Sequence, residues 1–181
     1  YKDKAMKKMI RKHFSRELEK IKKQILSLGA KVEEQVRMAT QAVEAHDAEL
    51  AKQIIKSDFE IDEMEVEIEE ECLKILALHQ PVAVDLRFLV AVIKINNDLE
   101  RIGDLAVNIV KRSECLHDRP DFPIPPKLAR MAKSATHMVH AALNAYVDFD
   151  AESANQVCRL DDEVDRINDS IIRELIDLME Q

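Results

Sequence analysis

Apolar side chains recur at steps of three and four residues along most of this chain, which is the spacing of one face of an α-helix. Between Glu60 and Glu71 apolar residues nearly alternate with acids, as they would in a strand. Helical steps nevertheless continue through this segment, and glutamate is a good helix former. The pattern therefore predicts five long helices, at about 9–45, 48–79, 81–116, 127–147 and 150–181.

One segment interrupts the helical pattern. Residues 117–126 read HDRPDFPIPP and contain four prolines. Because proline fixes φ and lacks the backbone N–H that a helix needs, we expect a stiff, extended linker here. The linker divides the chain into a first unit over residues 6–116 and a second unit over residues 127–181.

The two units repeat one sequence pattern at a shift of 103 residues, so that residues 47–53 match residues 150–156. A repeated sequence implies a repeated supersecondary unit. The predicted fold class is therefore all-α, with two three-helix bundles in tandem. Gln181 corresponds to Leu78 under this shift, so we expect the second bundle to be incomplete, with two helices in place of three.

An incomplete bundle leaves apolar surface uncovered. Two helices cover only part of each other's apolar stripes, and soluble monomers rarely expose contiguous apolar patches larger than a few hundred Å². A second copy of the chain would cover this surface. The sequence therefore predicts self-association, as a homodimer or a higher oligomer, through the last two helices.

The charge balance excludes some classes of function. Of 181 residues, 35 are acidic and 27 basic, which gives a formal charge of −8; a nucleic-acid-binding protein needs a basic face. No run reaches the ~18–20 apolar residues of a membrane span. The three scattered cysteines are typical of a reducing compartment. We therefore expect a cytoplasmic protein that neither binds nucleic acid nor inserts into a membrane.

Two pairs of carboxylates, each four residues apart, are the candidate chemistry. Glu100 interrupts the apolar stripe of the third helix, and Asp104 follows one turn later; Asp58 and Asp62 form a similar pair on the second helix. If these helices form an antiparallel hairpin that turns near Gln80, residues whose numbers add to about 160 are level. Both pairs then lie in one layer of the bundle.

Such a layer of carboxylates favours a bound cation, because like charges near an apolar face repel each other. Glu33 of the first helix reaches the same level, and the pair on the second helix is repeated at Asp161 and Asp165. Oxygen ligands suit Mg, Ca, Mn or iron, and Zn less well. The alternatives are a solvated acidic face and neutralisation by arginine.

No catalytic centre is evident. A di-iron enzyme in a helical bundle requires two Glu-x-x-His motifs, and the chain has one, from Glu114 to His117. No glycine-rich phosphate loop is present. We therefore predict a non-enzymatic binding protein; the alternatives are a carboxylate-bridged metalloenzyme in a helical bundle and a purely structural helical repeat.

The segment over residues 76–109 resembles the signature of the PhoU family. It reads LALHQPVAVDLR over residues 76–87 and DLERIGDLAVNI over residues 98–109. The resemblance extends over nearly the whole chain, through Glu17-Leu18, LGAKVE over residues 28–33, and the Asp-x-x-(Ile/Val)-Asp patterns at 58–62 and 161–165. The chain departs from the family pattern at its end, where the sixth helix is missing.

The resemblance implies a cytoplasmic regulator of phosphate uptake, built as two three-helix bundles in tandem. It implies coupling of a phosphate ABC transporter, through its ATPase subunit, to a sensor histidine kinase, with restraint of phosphate-starvation signalling. It also implies a divalent or transition metal ion (iron, Zn, Mn or Mg). The ligand candidates are the matched carboxylates Asp58, Asp62, Glu100, Asp104, Asp161 and Asp165, together with Glu33 and Asp85.

Overall fold

The chain is helical throughout most of its length in a computed structural model that describes residues 2–116, 119 and 121–180. Within these residues it forms no strand, and the fold is all-α as predicted. The helices are α1 (Lys2–Glu44), α2 (Ala48–Ser57), α3 (Phe59–His79), α4 (Ala83–Ser113), a turn of 3-10 helix (Glu114–Leu116), α5 (Lys127–Val147) and α6 (Ala151–Met179). None of the described helices is both long enough and apolar enough to cross a bilayer.

The second predicted helix is divided in two at Asp58. This residue keeps right-handed helical angles (φ −59°, ψ −36°), and its carbonyl oxygen accepts from the N–H groups of Ile61 and Asp62 at 2.8 and 3.3 Å. The interruption between α2 and α3 is therefore one residue wide. Periodicity could not reveal it, because the apolar spacing runs through the break.

The structure describes part of the proline-rich linker. His117, Asp118 and Pro120 lie outside the described residues, and residues 121–126 form turns and irregular backbone before α5 begins. The expectation of a stiff linker over 117–126 therefore stays a prediction.

The repeat is visible in the backbone of two equivalent turns. His46 and Phe149, 103 residues apart, both have positive φ, at 51° and 57°. The aspartate after each caps the next helix: Asp47 and Asp150 have matching φ and ψ angles, and each side chain accepts two backbone N–H bonds. The same local chemistry therefore reverses the chain at the same place in both units.

Helix α1 lies at the centre of the fold and packs against α3, α4 and α5. The main core is apolar and fully buried along the stripe that the sequence pattern predicts for α1. Burial of each large aliphatic side chain stabilises the fold by roughly 1.5–3 kcal/mol. The α1 members of this core are Ile21, Ile25, Leu28 and Val32, and they face Ile61, Ile68, Cys72, Ile75, Phe88, Leu89, Val92 and Leu99.

Helix α5 joins this core instead of standing apart from it. Leu143 and Val147 are buried against the first unit, and a Cβ placed on Gly29 would lie 2.2 Å from Leu143 Cδ1. Tyr146 stacks on Phe88 with 5.3 Å between ring centroids and donates its hydroxyl proton to the Phe88 carbonyl oxygen at 2.6 Å. Glycine at position 29 therefore permits the close approach of α5 to α1.

Candidate metal centre

The hairpin of α3 and α4 determines which carboxylates meet. Gln80 ends α3 in the left-handed conformation (φ 45°), with its N–H bonded to the Leu76 carbonyl oxygen, and α4 then packs back along α3. Gln35 contacts both Asp58 and the Gly103 carbonyl oxygen, and Asn96 contacts Glu65. Five acidic side chains therefore lie along the stretch where the two helices run side by side. This carboxylate cluster consists of Asp58, Asp62, Glu65, Glu100 and Asp104.

Two buried amides hold the cluster in position. The Gln35 side chain on α1 donates from Nε2 to Asp58 Oδ1 at 2.7 Å and to the Gly103 carbonyl oxygen at 3.2 Å. Asn96, which is fully buried, donates from Nδ2 to the Glu65 carbonyl oxygen at 2.8 Å and to Glu65 Oε1 at 3.1 Å. Gln35 thus links α1 to α4 and to the residue that precedes α3, and Asn96 links α4 to α3. Each amide also orients one carboxylate of the cluster.

Like charge and burial raise the pKa of three members. For Glu100 the largest cause is burial, followed by the charges of Asp104, Asp62, Glu65 and Asp58. Burial also comes first for Asp62, before Asp58 and Asp104. Burial likewise leads for Glu65, before Glu69 and Asp62. Each of these causes disfavours the ionised form of the carboxyl group. A cation bound at the cluster would offset both the burial and the repulsion, and all of these carboxylates would attract it.

In the part of the chain that the structure describes, no lysine or arginine is paired with the cluster. Among the side chains that the structure describes, none forms an ion pair with a member of the cluster. Lys31 of α1 pairs with Glu60, which is not a member of the cluster. Lys94 of α4 shares a surface pocket with Glu65 but is not paired with it. Among the described side chains, therefore, no arginine neutralises the cluster, although this was the main alternative to a metal ion.

The atoms of the cluster are of the type that binds a hard or borderline cation, but they do not converge on one point. All are carboxylate oxygens, and Asn96 Oδ1 is buried without a hydrogen-bond partner. Over the described part of the chain, however, no three cluster side chains have ligand atoms within 4.8 Å of one another. Mutual repulsion keeps charged carboxylates apart, so binding would require their side chains to turn inward.

The other predicted ligands lie elsewhere. Glu33 is at the α1–α5 contact, with Oε1 3.2 Å from His140 Nδ1. Asp85 lies in the first turn of α4, 15 residues and therefore about 22 Å along the helix from Glu100. Asp161 and Asp165 are exposed on α6. The structure thus brings together four of the eight predicted residues.

Two members of the site are not singled out by the sequence analysis. Gln35 stands between Val32 and Ala39 on the buried stripe of α1, and a polar residue in that position was the available signal. Glu65 follows Asp62 by three residues on the same face of α3, but it lies in a long acidic run where no single glutamate stands out. Gly103 also contributes, since a Cβ there would lie 3.1 Å from Ile61 Cδ1.

Comparison with known proteins agrees with this all-helical fold. The family model for the PhoU domain matches residues 25–113 and 128–181. A phosphate-specific transport system accessory protein PhoU homolog of Clostridium acetobutylicum is 36% identical over 174 residues, which is 96% of this chain and 80% of that protein. The phosphate-specific transport system accessory protein PhoU of Escherichia coli is 34% identical over 95% of this chain and 71% of its own length.

Two solved structures share the fold. The crystal structure of PhoU from Pseudomonas aeruginosa superposes with a TM-score of 0.82 at 37% identity, covering 92% of this chain and 80% of that one. The phosphate transport system regulatory protein PhoU from Streptococcus pneumoniae gives a TM-score of 0.84 at 30% identity, covering 92% and 79%. The protein is thus an all-α helical-bundle protein of the kind that accompanies phosphate transport systems. The chain belongs to the PhoU family.

Proposed function

We propose that this protein is a cytoplasmic, non-enzymatic regulator that restrains phosphate-starvation signalling when phosphate is ample. It would do so by coupling a phosphate ABC transporter, through its ATPase subunit, to a sensor histidine kinase. The observation that carries the proposal is the match of 96% of the chain to an accessory protein of a phosphate-specific transport system. The absence of histidine from the carboxylate cluster disfavours the di-iron type of metalloenzyme, whose centre requires Glu-x-x-His motifs.

Binding to the transporter's ATPase subunit tests this proposal. Helix α3 presents exposed acids on its outer face, among them Glu63, Glu67 and Glu70, which suit a basic partner surface. Charges exposed at such an interface act over about one Debye length, ~8–10 Å, so association should weaken as ionic strength rises. The triple variant Glu63→Gln, Glu67→Gln and Glu70→Gln should bind more slowly and lose most of this salt dependence.

A matched control removes three charges from another helix. Asp162, Asp169 and Asp177 are exposed on α6, and their replacement by asparagine should leave the association rate and its salt dependence nearly unchanged. Absence of binding to the ATPase subunit at any ionic strength would contradict the transporter partnership. Binding that is indifferent to salt would contradict only the role of α3.

We further propose that the carboxylate cluster binds a divalent or transition metal ion: iron, Zn, Mn or Mg. Asp58, Asp62, Glu100 and Asp104 would hold it, with Glu65 beside them. An ion there would neutralise repelling charges on two helices and so fasten α3 to α4, which is a structural role. Support comes from the raised pKa of Asp62, Glu65 and Glu100, all of which reflect burial and negative neighbours.

Self-association is proposed through α6. Ile172, Ile176 and Met179 form an exposed apolar row at helical spacing, and a two-fold contact would bury the same row from both copies. Covering apolar area contributes roughly 25 cal/mol per Å². Sedimentation at micromolar concentration should show a dimer that Ile172→Glu with Ile176→Glu converts to monomer. A wild-type monomer, or a dimer that survives both substitutions, would contradict the proposal.

A further inference from the structure

A second cluster of ligating groups lies at the opposite end of α3, outside the carboxylate cluster. We infer that His13 and Glu17 of α1 and His79 of α3 form a binding site for Zn²⁺ or a similar borderline divalent cation. Glu65 and His79 are 14 residues apart on α3, so the two sites are separated by about 21 Å along the helix. This site is therefore independent of the carboxylate cluster in both position and chemistry.

The three side chains converge on one point. His79 Nε2 lies 2.5 Å and His13 Nδ1 3.3 Å from the same oxygen, Glu17 Oε2. All three ligand atoms lie within 4.8 Å of one another, and among the described residues this is the group of three that meets that condition. Zinc bonds of about 2.0–2.1 Å in tetrahedral geometry place ligand atoms roughly 3.3 Å apart. Small rotations of the side chains would satisfy this spacing.

The local structure holds the ligands in place. His13 and Glu17 are four residues apart, so they lie one turn apart on the same face of α1. His79 is the last residue of α3, directly before the left-handed turn at Gln80. Its ring lies 5.1 Å from that of Phe14, which packs against the core. Glu17 and His79 have side chains only 14% and 13% exposed, whereas His13 leaves the site open to solvent.

The Glu17 carboxylate oxygen that contacts both imidazoles is buried. This atom, Oε2, makes no hydrogen bond of acceptable geometry, although both imidazoles are close to it. No lysine or arginine pairs with Glu17 among the described side chains. A buried carboxylate oxygen whose contacts fall short of good hydrogen-bond geometry is incompletely compensated, and a cation bound jointly with the two imidazoles would compensate it.

The donor set selects the ion. Two imidazole nitrogens and one carboxylate oxygen form a typical three-residue zinc set, in which water takes the fourth position. Imidazole disfavours Mg²⁺ and Ca²⁺, which prefer oxygen ligands. A zinc ion here would fasten the first half of α1 to the turn between α3 and α4.

The test is zinc binding by the metal-stripped full chain in the background Glu100→Gln with Asp104→Asn, which weakens the carboxylate cluster. We expect one Zn²⁺ per chain by calorimetry, a visible absorption spectrum of four-coordinate Co²⁺ when that ion is used, and no binding of Mg²⁺ at this site. His13→Asn, Glu17→Gln and His79→Asn should each weaken zinc binding by more than the roughly 10- to 100-fold that loss of a mere supporting partner costs.

His137→Asn is the matched control, because His137 is an exposed histidine on α5. It should leave zinc affinity unchanged, and zinc should raise the melting temperature of the background protein and of this control but not of the His79→Asn variant. Because His13 is exposed, the His13→Asn variant should fold, and its zinc affinity can be measured even if another variant is unstable. Zinc affinity unaltered by His13→Asn and His79→Asn, or no zinc binding in the background protein, would overturn the site and show a His–Glu ion pair only.

Discussion

Dialysed protein that carries Glu100→Gln with Asp104→Asn is expected to lose the metal ion of the carboxylate cluster while its helical content stays intact. Both substitutions preserve side-chain shape, and together they remove two of the five carboxylates that would share the positive charge. Loss of anionic ligands weakens the binding of hard and borderline cations most strongly. Elemental analysis after dialysis should show metal in the parent protein and essentially none at this cluster in the variant.

A control for net charge is available on the outer face of α3. Glu67→Gln with Glu70→Gln also removes two negative charges, but from exposed positions, and should leave metal content unchanged. Zinc at His13, Glu17 and His79 would remain in both variants, so each metal must be counted separately. If the variant with Glu100→Gln and Asp104→Asn retains every metal ion found in the parent protein, the cluster is not a metal site.

The stability of the metal-free protein is expected to depend on pH because of the same carboxylates. The pKa values of Asp62, Glu65 and Glu100 are raised in the folded state by burial and by neighbouring acids. The folded state therefore binds more protons than the unfolded state between the ordinary and the raised pKa values, and the cluster destabilises the fold increasingly as pH rises through that range. The penalty is complete above the raised pKa values and absent below the ordinary ones.

Urea unfolding in the presence of a chelator measures this effect. At neutral pH the Glu100→Gln, Asp104→Asn variant should be more stable than the parent, by at least the roughly 0.2–0.5 kcal/mol that an exposed like-charge pair costs on a helix. The difference should shrink as pH falls toward the ordinary carboxyl pKa values of about 4. Two stability curves that stay parallel across this range would show that the cluster is not electrostatically strained.

The helices and the meeting of the two acidic pairs could be predicted from the sequence because both depend on regular geometry. A rise of 1.5 Å per residue and a turn near Gln80 suffice to place Asp58 and Asp62 level with Glu100 and Asp104. The height of a residue along α1 does not determine the direction in which its side chain points. Glu33 has the right height, but Gln35, two residues and about 200° further round the helix, is the residue that faces the cluster.

Contacts between distant segments could not be predicted in this way. His13 and Glu17 meet His79 only because α1 and α3 pack with a particular register, which no local spacing encodes. The approach of Leu143 to Gly29 likewise depends on how α5 docks on α1, although the glycine itself is visible in the sequence. The repeated turns at 46–47 and 149–150 were more accessible, since helix capping by aspartate is a local interaction.

Expression of a phosphate-starvation reporter in cells that lack their own PhoU protein tests the central claim most directly. In such cells the full chain should hold the reporter low when phosphate is ample and release it when phosphate is scarce. A reporter that stays high in ample phosphate, although the protein is folded and abundant, would contradict the assignment of this chain as a regulator of phosphate uptake.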